Sequence, residues 1–547
     1  MNRILFLLII TLSCGFGSCR MKTEQADLVI HNTVIYAMDG STRTHEAMAI
    51  RGDSILELGP NRQILNKYRS SQTIDAAMKP IYPGFIDAHC HFLAYGLSLN
   101  RVNLVGAGSF DEVLKRVEDH PISTSGKWIE GRGWDQNLWE DKQFPTNQQL
   151  NERWPDVPVL LKRIDGHAAI ANDKALSLAG ITVDTKMIGG MVLLKEGKPT
   201  GVLIDKAVDL VEAVIPKPTD AEKIKALTDA QRDCFAVGLT SVADAGLTKA
   251  EIMLVQQELQ SGRLKMPIYA MISDNAADVD FFLKSGPIYQ DRLTVCSVKC
   301  YADGALGSRG ACLLKPYADM ANHHGMMLDN GAHFEEMAAK LAQAGFQMNT
   351  HCIGDSAARF ILDVYGRHLG GTNDLRWRIE HAQVVNEADF EKFATYSIIP
   401  SVQPTHATSD MNWAVDRLGR KRVVNAYAYE KLRNQLGMLA LGTDFPIEGI
   451  SPLHTFYAAV VRKDVSGKPE DGFQTENALS RMNTLMGMTL WAAIANREET
   501  KRGSLEAGKK ASFVMMDKDL MLLPANRILE ARVLRTFVHG EEVYTAE

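Results

Sequence analysis

Two histidines one residue apart, His89 and His91, follow an apolar run in PGFIDAHCHF (83–92). Ile81, Phe85 and Ile86 favour a strand, which Pro83-Gly84 interrupts or opens. Residues i and i+2 of a strand share a face, so both imidazoles point one way and Cys90 the other. Two imidazoles converging at a strand end suit a metal ion. Taken alone, the pair fits two unrelated polar residues at a strand terminus equally well. Further polar residues stand near the ends of later apolar segments: Lys299 with Asp303 beyond it, His351, His381, His406 and Asp444. Each has a plain reading of its own. His381 follows Glu380 and fits a satisfied core histidine. Asp444 in LGTDFP fits a turn cap before Pro446. Lys299 fits a surface lysine whose stem lies on the protein wall. Their joint recurrence at five strand ends is a poor match to chance.

The elements that must carry these residues can be read in order. Strands are predicted at 81–88, 238–245, 266–273, 293–303, 346–352, 376–382, 398–405 and 437–444. Helices are predicted at 221–237, 334–344, 355–369 and 386–396. Eight strands alternating with helices predict an α/β fold of the (β/α)8 TIM-barrel type, with its active site at the C-terminal strand ends. Alternating segments at 26–39, 47–59, 509–519 and 532–544 predict a small β-sandwich built from both ends of the chain, 26–80 with 500–547, around a barrel domain at 81–499. The stretch from about 120 to 237 is too long for one βα unit. With strand-like VPVLLKRI (157–164) and tryptophan-rich GRGWDQNLW (131–139), it reads as an insertion over the barrel mouth.

The chain has 547 residues, of which 46% are hydrophobic and 23% charged, with a formal net charge of −6. That is ordinary globular composition with no basic face, so nucleic acid is not an expected partner. The first residues differ: Arg3 precedes an apolar run from Ile4 to Leu12 and then small residues, the pattern of a secretory signal too short to span a membrane. It resembles a bacterial lipoprotein signal with Cys19 as the lipidated residue, although Phe16 replaces the usual aliphatic residue. Cys14 is the competing site, and an ordinary cleaved signal is the alternative. The expected location is therefore the cell envelope by a lipid anchor, or else the periplasm or medium. Of eight cysteines two lie in this signal, and no disulfide framework is expected.

The order HxH, Lys, His, His, Asp on strands 1, 4, 5, 6 and 8 resembles the amidohydrolase superfamily. GRGWDQNLWEDKQFPT, RIDGHAAIAN, YADGALGSRGA, HCIGDSAA, RIEHAQ, VQPTHATSD and GTDFPIE look like its N-substituted formamide deformylase-like branch, over essentially the whole chain after about residue 26. The resemblance is specific for fold and family and weak for substrate. It implies that His89 and His91 hold one metal, that His351 and His381 hold a second, and that Lys299, if carboxylated, bridges them. It implies that Asp444 binds metal and takes the proton of the attacking water. A plain lysine beside a single metal is the alternative.

Nitrogen and oxygen donors fit zinc best, with manganese, cobalt or iron as alternatives and one or two ions in all. Metal-bound water falls to a pKa of about 7 and becomes a hydroxide nucleophile. The expected reaction is hydrolysis of a C–N bond in a small molecule, a non-peptide or modified amide of N-acyl or N-formyl type. A mononuclear deaminase or cyclic amidine hydrolase uses the same ligands with Lys299 as a bystander, and a non-catalytic ligand-binding lipoprotein is a third reading. Asp165 and His167 in the insertion, Arg309 after strand 4, and His406 or Asp410 after strand 7 are candidate substrate contacts. Their plain readings are a capped turn, a loop salt bridge and a polar rim. Trp134 and Trp139 are candidates for an apolar substrate wall, with core packing as the plain reading. Barrels of this kind often pair, so a homodimer is an expectation, although no stretch marks an interface.

Overall fold

The computed structural model describes residues 23–41, 43–121, 128–163, 168–187, 190–307 and 309–547. Eight parallel strands run through its nine-stranded central sheet: β1 Phe85–Cys90, β2 Leu239–Leu247, β3 Ile268–Ser273, β4 Leu293–Tyr301, β5 Gln347–Cys352, β6 Arg378–His381, β7 Ile399–Val402 and β8 Ala440–Leu441. Their order in space is their order in sequence, and each pairs in parallel with the next. The backbone of Asp444 donates to His89 O at 2.8 Å, and that of His91 donates to Phe445 O at 2.8 Å, which joins the last strand's end to the first. This is a (β/α)8 barrel, and all eight strands expected from the sequence are its staves. The crossovers are helical, as parallel strands require. Helix Asp220–Ala236 opens with a reciprocal capping box between Thr219 and Glu222, and Lys249–Gln260 with one between Thr248 and Glu251.

The first expected strand, 81–88, is in fact two. Pro80–Pro83 pairs with Val34–Tyr36 and with Phe513–Met516, outside the barrel, and the barrel stave starts at Phe85. Gly84 makes the break. A Cβ there would lie 2.1 Å from Thr240 Oγ1, so only glycine lets the chain pass β2 as it changes sheets.

Two further sheets from the chain ends face each other, one of four strands within Glu24–Asp75 and one of six that combines both ends. Leu28, Ile30, Met48 and Ile50 of the first pack with Ile35, Ile81, Phe513 and Phe537 of the second in one apolar cluster. This is the expected β-sandwich.

The insertion after β1 begins earlier and ends earlier than 120–237. Its six-stranded sheet runs from Val102–Asn103 to Lys198–Asp205. Helix Asp220–Ala236 belongs instead to the barrel, because Ala226, Leu227, Ala230, Cys234 and Phe235 lie in the main core and a Cβ on Gly96 of helix Phe92–Ser98 would collide with the Ala226 carbonyl. The insert has its own cores: Val113, Trp134, Trp139 and Leu150 lie in one cluster, and Leu160, Leu176 and Val208 in another. Among the described residues no helix is long and apolar enough to cross a membrane.

Candidate metal centre

β1 ends in His89 and His91, and the backbone bonds to Asp444 and Phe445 bring the end of β8 against them. His91 Nε2 is 3.3 Å and His89 Nε2 3.6 Å from Asp444 Oδ1. Lys299 of β4, fully buried, places Nζ 3.1 Å from His89 Nε2 and over the Tyr301 ring. The ring of His381 is centred 4.8 Å from that of His89 and 4.5 Å from that of His351. His406, just past β7, places Nε2 3.6 Å from Asp444 Oδ2. The six residues expected as ligands, and His406, therefore converge at one place at the C-terminal end of the barrel.

Backbone conformation helps bring them there. Glu380 pairs with His351 and His381 with Cys352 across the ladder, so plain alternation would send Glu380 and His381 to opposite faces. His381 takes the left-handed φ of +71°, and both side chains reach the site. Asp444 is left-handed too, at φ +63°. Non-glycine residues in this region store on the order of 1–3 kcal/mol each and persist where surroundings over-determine them.

Each buried imidazole is oriented from behind. His89 Nδ1 bonds Glu380 Oε2 at 2.7 Å, and His381 Nδ1 bonds Gln403 Oε1 at 2.7 Å. His351 is hydrogen-bonded to the Gly304 backbone. Such bonds turn the other ring nitrogen toward the centre. Sequence reasoning missed Glu380 and Gln403 as partners; their adjacency to His381 and to the β7 turn in RIEH and VQPTH was the available signal. Asp87, also missed, accepts from Thr443 N and Oγ1 and from His89 N, tying β8 to β1. Burial pushes its carboxyl up to about 7. Asp303 accepts from the backbones of Cys312, Ile353 and Gly354, and its Oδ1 lies 3.7 Å from His351 Nε2 at the edge of the site.

The electrostatics suit a cation. Burial lowers the Lys299 ammonium, and it also lowers His89, His381 and His351, the last to about 3. The three imidazoles are therefore favoured as neutral donors, and the charged form of Lys299 is disfavoured. Burial alone would raise Asp444, but His91, His89, His381 and His406 outweigh it and hold the carboxyl well below the usual range. Asp444 Oδ1, His351 Nε2 and His406 Nε2 are buried yet have no hydrogen-bond partner. Buried polar atoms are normally paired, and the orphaned Asp444 Oδ1 and His351 Nε2 fit a bound cation. His89, His91 and Asp444, and separately His381, His406 and Asp444, bring one donor atom each within 4.8 Å of one another. A third such group, Asp53, Asp291 and His539, differs: the Lys510 ammonium already bridges its carboxylates.

Two expected substrate contacts have their polar or apolar surfaces engaged within the fold. Trp134 is fully buried in the insert's core, donates to Leu161 O at 2.7 Å and stacks on Trp139, so packing consumes it. Arg309 pairs through Nε and Nη2 with Asp319, which Arg417 also holds, so its fork is engaged within the loops. Asp410 accepts from Tyr427 and Gln383. Asp165, His167 and Cys19 lie outside the described residues. A cleft of about 830 Å³ in the insert is lined by Asp111, Glu140, Asp141 and Glu152 among others, with no lysine, arginine, histidine or cysteine, and does not coincide with the cluster.

A polar cluster of this make-up at the C-terminal mouth of a parallel barrel marks a class of metal-dependent barrel hydrolases. The chain belongs to the Amidohydrolase family, whose sequence profile matches residues 72–544. It is 31% identical to Protein LONG AFTER FAR-RED 3 of Arabidopsis thaliana over 95% of this chain and 92% of that one. It is 26% identical to the N-substituted formamide deformylase of Arthrobacter pascens over 95% of this chain and 98% of that one. The crystal structure of an uncharacterized metal-dependent hydrolase from Pyrococcus horikoshii superposes with a TM-score of 0.78 at 27% identity, covering 91% of this chain and 99% of that one.

Proposed function

We propose that this amidohydrolase cleaves a C–N bond in a non-peptide or modified amide, of N-acyl or N-formyl type. The observation that carries the reading is Asp444, ringed by four imidazoles with Oδ1 buried and unpartnered. His89 and His91 would hold one ion and His351 and His381 another, with a carboxylated Lys299 between them and Asp444 as a further ligand. Zinc suits these nitrogen and oxygen donors. Bound there, the ion supplies Lewis acidity that polarises a carbonyl and acidifies a water. Asp444 takes the proton from the attacking water and returns it to the leaving nitrogen as the C–N bond breaks. Lys299, with its ammonium disfavoured by burial, is suited to carboxylation. Its place 3.1 Å from His89 Nε2 supports participation over the bystander role that a mononuclear deaminase would give it. The formamide and N-acyl choice rests on the likeness to the deformylase.

A panel of N-formyl and N-acyl amines, with ammonia release from heterocyclic amines followed in parallel, tests the reading. The expected result is amide hydrolysis that falls by at least about 10²-fold in Asp444→Asn. Full activity in that variant, or ammonia release alone, would overturn it. Export with a lipid on Cys19 is also proposed; Cys19→Ala is expected to move the protein from the membrane fraction to the soluble one, and an unchanged distribution would count against it.

A further inference from the structure

His406 is surplus to the ligands assigned above, although it shares ligand geometry with His381 and Asp444, and it is built into the same place. It stands on helix Pro404–Asp410, which starts directly after β7. The turn that delivers it is fixed at two points: Gln403 holds His381 through its side chain, and its carbonyl accepts from Tyr429 OH at 2.9 Å. The His406 ring stacks on that of His381, with centroids 5.9 Å apart and planes 22° apart. Its Nε2 is buried and unpartnered.

The two oxygens of Asp444 divide the site. Oδ1 faces His89 and His91, the floor of the barrel, whereas Oδ2 faces His406 at 3.6 Å. A carboxylate with one oxygen toward the floor uses the other for the water and the leaving nitrogen, and His406 stands on that reacting side. In the tautomer with its proton on Nε2, this atom is a donor on the Asp444 Oδ2 side of the site.

We propose that His406 is a catalytic residue that carries no metal, and that its Nε2–H donates to the oxygen of the tetrahedral centre. This rests on the amidohydrolase reading above. As the water oxygen bonds to the carbonyl carbon, the π pair moves onto the carbonyl oxygen, where His406 stabilises it without giving up its proton. Asp444 takes the water's proton. The pair then reforms the carbonyl, the C–N bond breaks, and Asp444 protonates the departing nitrogen. A preorganised donor of this kind contributes about 10²–10³-fold to kcat.

The test compares wild-type and His406→Ala holoproteins by bound metal per chain and by calorimetric affinity for methylphosphonate, a stable tetrahedral oxyanion. The expected result is unchanged metal with methylphosphonate binding at least tenfold weaker in the variant, and His406→Gln, which keeps a donor, falling between. Loss of metal from His406→Ala would make His406 a ligand and overturn the proposal. Equal affinity in the two proteins, including no binding to either, would overturn it as well. The binding readout needs no amide turnover, so a failure of the amide panel stays separate: that result strikes the proposed reaction, not the placement of the donor.

Discussion

Glu380 Oε2 lies 2.7 Å from His89 Nδ1, with neither side chain exposed to solvent. Burial would raise the carboxyl of Glu380, but its hydrogen-bonded contact with His89 and the nearby Arg378 guanidinium bring it down to about 2. A buried anion thus sits directly behind the first histidine of the HxH pair and fixes which nitrogen faces inward. Removing the charge while keeping the shape, in Glu380→Gln, is expected to weaken metal affinity about 10–100-fold. Competition against a chelator measures it, and wild-type affinity would show that Glu380 has no part in orienting His89.

Gly442 lies where the end of β8 meets β1. A Cβ at this position would fall 2.6 Å from His89 N and 2.8 Å from Asp87 Oδ1. Gly442→Ala must therefore push β8 away from the ligand strand. A loss of about 1–3 kcal/mol in denaturant titrations, together with weaker metal binding, is the expected outcome.

Trp134 separates a packing role from a substrate role. As a fully buried side chain its truncation to alanine is expected to cost about 3–5 kcal/mol of stability. Below the new melting point, kcat/KM for an amide substrate should stay within a factor of about two, because the residue lies in the insert's own cluster. A specific rise in KM with unchanged stability would restore the substrate-wall reading.

His539 predicts an acid limb far from the barrel mouth. Burial, reinforced by the charges of Arg502 and Arg292, lowers its imidazole from 6.5 to about 3. In the window between these values the unfolded chain binds the proton and the folded chain does not. The stability contribution is thus fully present above about 6.5 and is lost as pH falls toward 3. Urea titrations at a series of pH values should show a shallower fall over that window in His539→Gln than in wild type; parallel curves would contradict the assignment.

The sequence carried the barrel and the residues of the candidate site because both rest on local pattern. Apolar runs marked all eight staves, and His89, Lys299, His351, His381 and Asp444 each stood at a stave's end. What it did not reveal depends on contacts across distance. That Gly84 divides 81–88 between two sheets follows from Thr240 on the neighbouring stave. That 220–236 is a barrel helix follows from its packing in the main core, not from its own pattern. Arg309 reads as either a substrate contact or a loop salt bridge, and the partner that holds it, Asp319, stands ten residues on. Glu380 and His381 as joint residents of one site require the left-handed turn at His381, which no period-two reading anticipates.

The central claim is that this cluster holds metal, and elemental analysis of the protein from Met21 onward, purified without chelator, tests it most directly. The account predicts about two divalent ions per chain, lost in His89→Ala. A folded chain that stays metal-free when offered zinc, manganese, cobalt and iron would contradict it.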